Sequence, residues 1–314
     1  MADEAARRTR GTAPDDLAAA RDRIAARIVG RGRELELALA AIGSGRDLLI
    51  EGPPGTSKTT MLQAITAEWG VPLIFVEGNA DLTPARLVGH HNPAMVLQQD
   101  YSARTFVDGP LVQAMREGAF LYIEEFNRSP EDTLNTLLTA IADRRIAVPR
   151  VGTVEAGAGF RVVASMNPFD NVGTTRLATS VSDRFNRIVI GYQDEPDERA
   201  ITALRTGLEG AVAERLIEDA VAVTRATREH EDVRQGSSVR GAIDLALVAH
   251  ELAVLRGVDD ADSPEYRDLV LDAMGVALSG RIHLDDAAET TPEQVLREIW
   301  EDRFVLNPAQ AKPG

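Results

Sequence analysis

Short apolar runs alternate with segments of helical periodicity along the first two thirds of the chain. The apolar runs occupy residues 47–51, 72–76, 120–123, 161–165 and 187–190. Each run is bounded by polar or turn-forming residues, so we expect each to form a buried strand. Apolar positions recur at helical spacing between them, most clearly over residues 58–68 and 130–143. This alternation predicts an α/β fold, in which helices cover both faces of a parallel sheet.

The pattern changes after Pro196, where the apolar runs stop and long amphipathic segments follow. We therefore expect an α/β domain over residues 15–192 and a smaller, all-α domain over residues 193–306. Residues 1–14 and 307–314 are small, polar and rich in proline and glycine, which predicts disordered tails at both ends.

Charge divides the chain at the same place. The net charge is −15, but residues 1–192 carry 23 acidic and 21 basic side chains, whereas residues 193–314 carry 26 and 13. Such an acidic balance disfavours a general nucleic-acid or anionic-membrane binder, because phosphate neutralisation needs a basic face. The chain has no cysteine, which excludes a disulfide scaffold, a thiolate metal site and a cysteine nucleophile. We find no long apolar run and no secretion signal, so we expect a cytoplasmic protein without membrane insertion.

A glycine-rich loop joins the first predicted strand to the next helix. It comprises Gly52, Pro53, Pro54, Gly55, Thr56, Ser57, Lys58, Thr59 and Thr60. Backbone N–H groups of such a loop and the following helix N-terminus can surround nucleotide phosphates. Lys58, one of only two lysines in the chain, would bridge the β and γ phosphates of ATP, and the Thr59 hydroxyl would bind Mg²⁺.

One loop position departs from the usual pattern. Ser57 stands where a glycine is expected before the lysine. A serine fits there if its φ angle stays negative, so we expect a negative φ at this position.

Two carboxylates follow the third predicted strand. Glu124 and Glu125 come directly after the apolar run 120–123, at the strand end where parallel sheets place ligands. We expect Glu124 to hold the Mg²⁺, through a water, and Glu125 to orient or deprotonate the attacking water. Most sites of this kind have aspartate at the first position, and Glu124 is longer by one methylene group.

These elements, in this order, resemble an AAA+ ATPase, and in particular the MoxR family, over residues 25–305. The segment Glu124–Arg128 with its trailing helix is similar to the family's acidic motif, and Arg128 could instead pair with acids of a neighbouring subunit. Val29, Gly30 and Arg31 resemble the segment that packs beside the adenine.

Three further residues take their expected roles from this resemblance. Asn167, within Ser165-Met166-Asn167-Pro168, resembles the sensor-1 residue that positions water. Arg184, within Ser182-Asp183-Arg184-Phe185, resembles a finger that acts on the γ-phosphate of a neighbouring subunit, with Arg176 as the competing candidate. Arg240, in Ser237-Ser238-Val239-Arg240, resembles the sensor-2 arginine of a helical lid.

Two insertions also resemble those of MoxR and magnesium-chelatase proteins. Residues 82–110 resemble a helix-2 insert, and residues 146–160 resemble a β-hairpin that precedes sensor 1. Tyr101 and Phe106 are the aromatic residues of the first insert that could face a pore or a partner, although we favour local packing.

The resemblance implies a Mg²⁺-dependent ATPase that forms a homo-oligomeric ring, typically a hexamer, and acts as a chaperone-like activator of a partner. The implied partner is a von Willebrand factor A domain protein or its client, and metal or cofactor insertion is one implied output. Alternatives are a nucleotide-binding switch or scaffold with negligible hydrolysis, motivated by Ser57 and Glu124, and a magnesium-chelatase-like motor subunit. A DNA motor is least favoured, because residues 78–118 hold three arginines against four acids.

Overall fold

The computed structural model describes residues 16–168, 181 and 183–306. The predicted tails, Ser182 and Arg176 lie outside these residues. Contacts between Cα atoms group the chain into two compact units: the first is Met1–Pro53 with Ser57–Gly191, and the second is Pro54–Thr56 with Tyr192–Gly314.

A parallel sheet forms the centre of the first unit. In chain order the strands are β1 (Leu48–Glu51), β2 (Leu73–Glu77), β3 (Gly89–His91), β4 (Phe106–Asp108), β5 (Phe120–Glu124), β6 (Arg145–Val148), β7 (Gly152–Glu155), β8 (Arg161–Met166) and β9 (Asn186–Val189). Five of these strands pair in the order β2-β5-β8-β1-β9 within the described residues, and every pairing is parallel. The five predicted strands are confirmed, and no strand end is shifted by more than one residue.

Helices cover both faces of this sheet. Those of the first unit are Leu17–Ala25, Gly32–Gly43, Lys58–Trp69, Pro84–Val88, Pro93–Gln99, Pro110–Glu117 and Glu131–Asp143. Successive residues of a strand enter opposite layers: Leu121 and Ile123 pack in one apolar core, whereas Phe120 and Tyr122 pack in the other. The three central strands, β1, β5 and β8, carry nearly continuous apolar runs because both of their faces are buried.

The parallel register fixes which residues share an edge of the sheet. Glu51 of β1 lies opposite Met166 of β8, and Ile123 of β5 lies opposite Ala164 of β8. The carboxyl ends of β1, β5 and β8 therefore meet at one edge, and the segments that precede β1, β8 and β9 lie at the other.

Two small antiparallel pairs lie in the segments expected to be insertions. Strands β3 and β4 pair between β2 and β5, and β6 and β7 form a hairpin before β8. In the first of these, Tyr101 is 53% exposed whereas Phe106 is half-buried, and both rings pack edge-on against His91. Both aromatic residues thus make local packing contacts.

The second unit is mainly helical. Its helices are Glu195–Thr206, Ala211–Ala226, Val239–Arg256, Pro264–Leu278 and Pro292–Glu301. It also contains a short antiparallel pair, β10 (Val233–Gln235) with β11 (His283–Leu284). The second unit is helical as expected apart from this pair, whose segments of three and two residues are too short to show a periodic pattern. No helix in the described residues has the length and apolar character needed to span a membrane.

Candidate functional site

The glycine-rich loop leaves β1 at Gly52 and enters the helix Lys58–Trp69. The Gly52 N–H donates to the Met166 carbonyl at 3.0 Å, and a Cβ at Gly52 would lie 2.2 Å from the Ile190 carbonyl oxygen. Residue 52 must therefore be glycine for the loop to leave the sheet between β8 and β9. Gly55 has a φ of +75°, which makes it a second position where glycine avoids backbone strain.

Ser57 adopts the conformation that the sequence did not predict. Its φ is +66° and its ψ is +18°, so it lies in the left-handed region immediately before the helix. The expectation of a negative φ was wrong, because the loop reverses direction at this point whichever residue occupies it. A residue with a Cβ pays roughly 1–2 kcal/mol for this conformation. The loop therefore keeps the backbone shape of a phosphate loop despite the missing glycine.

Lys58 lies at the start of the helix with its side chain turned back onto the loop. It is 8% exposed, and its Nζ donates to the carbonyl oxygens of Gly52 at 2.8 Å and Pro53 at 2.7 Å. These bonds place the ammonium group beside the loop, where it can contact a bound phosphate.

Thr59 and Glu124 come together across the carboxyl edge of the sheet. The Thr59 Oγ1 donates to Glu124 Oε1 at 3.2 Å and lies 3.1 Å from the Tyr122 hydroxyl, which lies 3.0 Å from Ser165 Oγ. Burial raises the pKa of Tyr122, so this phenol stays protonated and holds the threonine in place. A hydroxyl and a carboxylate oxygen are ligands that Mg²⁺ prefers, so the residues present fit this ion.

Tyr122 and Ser165 were not predicted as members of the site. Both lie inside apolar runs that were interpreted as buried strands, and Ser165 was named only as the first residue of the Ser165–Pro168 segment around Asn167. The available signal was the presence of hydroxyl groups in strands that otherwise carry apolar side chains, because a buried hydroxyl needs a partner.

Glu125 lies at a sharp turn after β5. Its φ is +52°, and its carboxylate pairs with the Arg128 guanidinium at 2.9 Å, with both side chains nearly two-fifths exposed. Arg128 therefore pairs within its own chain. The turn packs against Gly78, where a Cβ would lie 2.4 Å from the Glu125 carbonyl oxygen. Gly78 is thus a third residue of the site, after Tyr122 and Ser165, that the sequence pattern did not predict.

Asn167 follows β8, between the ends of β5 and β1. Its carbonyl oxygen accepts a hydrogen bond from the buried Asn127 side chain at 3.5 Å. The structure thus brings Asn167 to the same edge of the sheet as the glycine-rich loop and the two glutamates.

Arg184 lies at the opposite edge. It is exposed, two residues before β9, at the end where the parallel strands begin. The glycine-rich loop of the same chain follows the carboxyl end of β1, so the sheet lies between Arg184 and that loop.

Three predicted residues remain, of which Arg240 lies beside Gly55 of the glycine-rich loop: a Cβ at Gly55 would lie 3.6 Å from the Arg240 Cγ. Val29 and Gly30 precede the buried Arg31, whose guanidinium donates to the Gly191 carbonyl at 2.8 Å and pairs with Glu34 at 3.3 Å. Arg240 belongs to the second unit, where its exposed side chain lies at the start of the helix Val239–Arg256.

Comparison with known proteins gives consistent matches. The AAA domain family, dynein-related subfamily, matches residues 47–185. The gas vesicle ATPase GvpN of Ancylobacter aquaticus is 30% identical over 293 residues, which cover 88% of this chain and 79% of that protein. Protein CbbQ of Hydrogenophilus thermoluteolus is 31% identical, covering 60% of this chain and 70% of that protein.

A solved structure of a candidate ATPase from Cytophaga hutchinsonii has the same fold, with a TM-score of 0.50 and 21% identity over 96% of this chain and 97% of that one. ATP and Mg²⁺ are the cofactors of this class of protein, in agreement with the donor groups of the loop and with the Thr59–Glu124 pair. Motif order, site geometry and relatives together place the chain in the MoxR family of AAA+ ATPases.

Proposed function

We propose that this ATPase hydrolyses ATP at the carboxyl edge of the sheet and uses a second copy of the chain to complete the site. The observation that carries this proposal is the 3.2 Å contact between Thr59 and Glu124, with Glu125 as the next residue. This contact supplies two ligands for one metal ion at the end of the glycine-rich loop, and Glu125 supplies an adjacent base.

Each residue of this edge has a distinct task. Backbone N–H groups of residues 55–57 and the Lys58 ammonium bind the phosphates, and Thr59 with Glu124 holds the metal ion. Bound Mg²⁺ would neutralise charge on the β and γ phosphates. Glu125 accepts a proton from the attacking water, and Asn167 orients that water. Val29 and Gly30 flank the adenine.

Arg184 acts in trans in this proposal. Its position at the far edge of the sheet supports a role toward a nucleotide held by a neighbouring copy, so a homo-oligomeric ring, which we propose is hexameric, is the active form. Arg240 would reach the phosphates when the second unit closes on ATP.

The output of the ATPase cycle is chaperone-like remodelling or activation of a partner protein, including insertion of a metal or cofactor. The family resemblance favours a von Willebrand factor A domain protein, or its client, as that partner. Residues 193–314, with 26 acidic and 13 basic side chains, offer an acidic surface to a basic client. The need for ATP favours the cytoplasm as the place of action.

ATP turnover of single variants tests the residue assignments. We expect Lys58→Ala, Glu125→Gln and Arg184→Ala to lose turnover, whereas Arg205→Ala, which removes an exposed arginine of the second unit, should keep it. Light scattering with and without ATP should show that Arg184→Ala still assembles. An Arg184→Ala protein that assembles and hydrolyses ATP normally would contradict the assignment of Arg184 as the trans arginine. Undiminished turnover in Glu125→Gln would contradict the assignment of Glu125 as the general base.

A further inference from the structure

A second charged site lies at the opposite edge of the sheet from the glycine-rich loop. A cavity of about 410 Å³ opens there, beside the segments that precede β1, β8 and β9. Its charged lining residues are Arg46, Asp47, Arg144, Arg161, Asp183 and Arg184. We call it the arginine cavity.

Hydrogen-bonded side chains form the floor of the arginine cavity. Asp47 is 8% exposed and accepts the Val162 N–H at 2.6 Å, and Arg161 is 3% exposed and donates to the Phe160 carbonyl at 2.6 Å. Arg144 donates to the same carbonyl at 2.7 Å, with its guanidinium 4.9 Å from the centre of the Phe160 ring. These contacts fix two guanidinium groups in a partly dehydrated environment.

The electrostatics of the floor favour an added negative charge. Burial lowers the pKa of both Arg144 and Arg161, and the charge of Arg144 lowers the pKa of Arg161 further. An anion in the cavity would offset both effects, because it stabilises the charged form of each guanidinium.

The rim adds more positive charge. Arg46, Arg184 and Asp183 are exposed, so the lining carries four arginines against two aspartates. An excess of two positive charges in a concave site attracts anions, and guanidinium groups match the oxygen geometry of phosphate. A phosphate group carries between one and two negative charges near neutral pH and balances this excess better than a carboxylate does.

We propose that the arginine cavity binds a phosphate oxyanion. The oxyanion has two possible sources: free inorganic phosphate, or the terminal phosphate of a nucleotide held by a second copy of the chain. The second source rests on the proposed function, because it gives Arg46 the role proposed for Arg184, namely contact with the nucleotide of a neighbouring copy. Both arginines line the arginine cavity.

The first experiment titrates inorganic phosphate into the full-length Lys58→Ala protein by calorimetry. The Lys58→Ala substitution is included so that the glycine-rich loop contributes little to the measured phosphate binding. Adding Arg46→Gln should weaken phosphate binding about tenfold, the effect of losing one charge-assisted hydrogen bond. Arg46 is the chosen position because its side chain is exposed, whereas Arg144 and Arg161 hold backbone carbonyls. Arg145→Gln, which removes the exposed neighbour of Arg144 outside the cavity lining, is the matched control and should leave phosphate affinity unchanged.

The second experiment measures ATP turnover of Arg46→Gln alone and mixed with Lys58→Ala, whose cavity is intact. Lower turnover that recovers in the mixture identifies the neighbour's nucleotide as the source, and weakened phosphate binding with unchanged turnover identifies free phosphate. The proposal is overturned if Arg46→Gln and Arg145→Gln behave alike in both experiments. A wild-type protein without ATP turnover would instead contradict the proposed function, and the phosphate titration would still report on the cavity.

Discussion

The Thr59 hydroxyl donates a hydrogen bond of 3.2 Å to the Glu124 carboxylate, although the two residues are 65 positions apart in the chain. The contact exists because β1 and β5 are parallel strands that flank β8, so the helix after β1 begins beside the carboxyl end of β5. It brings together two oxygen atoms of the kind that Mg²⁺ binds, at the end of the glycine-rich loop.

Replacing Thr59 should change how turnover depends on Mg²⁺. We expect Thr59→Ala to need at least about tenfold more Mg²⁺ for half-maximal ATP turnover, since losing even a group that only orients a metal ligand typically weakens metal binding by about 10–100-fold. Thr59→Ser keeps the hydroxyl and should stay close to wild type. Mg²⁺ titrations of steady-state turnover measure both, and identical curves for the two variants would contradict the metal role of Thr59.

Replacing Glu125 should affect chemistry rather than binding. Glu125→Gln should lower kcat by about 10²–10⁴-fold, the range that general-base catalysis supplies, while nucleotide affinity stays nearly unchanged. The control is Glu155→Gln, which neutralises an exposed glutamate of β7. Fluorescent-nucleotide binding and single-turnover kinetics separate the two effects. A loss of affinity with normal kcat would argue for a structural role instead.

Ser57 should be a site where glycine stabilises the protein. Its φ of +66° costs about 1–2 kcal/mol, and glycine would remove that strain at an entropic cost of about 0.5–1 kcal/mol. We expect Ser57→Gly to raise the free energy of unfolding by about 0.5–1 kcal/mol. Ser44→Gly, at a φ of −79°, should lower it instead. Urea unfolding of both variants provides the measurement, and equal destabilisation would show that Ser57 is not strained.

Asp47 should give the protein a pH-dependent stability. Burial raises the pKa of this carboxyl, so the folded state holds the proton more tightly than the unfolded state. Rising pH therefore favours unfolding from the ordinary carboxyl pKa of about 3.9 up through the raised value, with a slope of at most about 1.4 kcal/mol per pH unit.

Asp47→Asn can still accept the Val162 N–H and lacks the titrating group. The stability difference between variant and wild type should therefore move in favour of Asp47→Asn as the pH rises from about 4 to 7. Denaturant unfolding at several pH values measures this difference. A pH-independent difference would mean that the Asp47 pKa is not raised in the folded state.

Local pattern was enough to predict the central sheet. Its central strands carry nearly continuous apolar runs because helices bury both faces, and this signal is strong even in runs of four or five residues. The short pair β10 and β11 was not predicted, because its two segments are too short for a local pattern. Its register depends on contacts between residues about 50 positions apart.

The site was predictable where chemistry fixes residue type and was missed where packing fixes it. Lys58, Thr59 and the two glutamates were predicted as site residues because phosphate and metal binding require such residues in a set order. Gly78 and the Tyr122–Ser165 pair act through contacts between strands that are distant in sequence. The φ of Ser57 was predicted with the wrong sign, because the loop geometry, and not the residue, determines it.

A mixing experiment tests most directly the central claim that Arg184 completes the ATPase site of a neighbouring copy. Lys58→Ala removes the phosphate-binding lysine and keeps Arg184, whereas Arg184→Ala keeps the loop and removes the arginine. Each variant alone should be inactive in ATP turnover. In a mixture, a Lys58→Ala copy should supply Arg184 to the intact loop of its neighbour, and turnover should rise well above the sum of the two separate activities. A mixture that assembles but is no more active than that sum would contradict the claim.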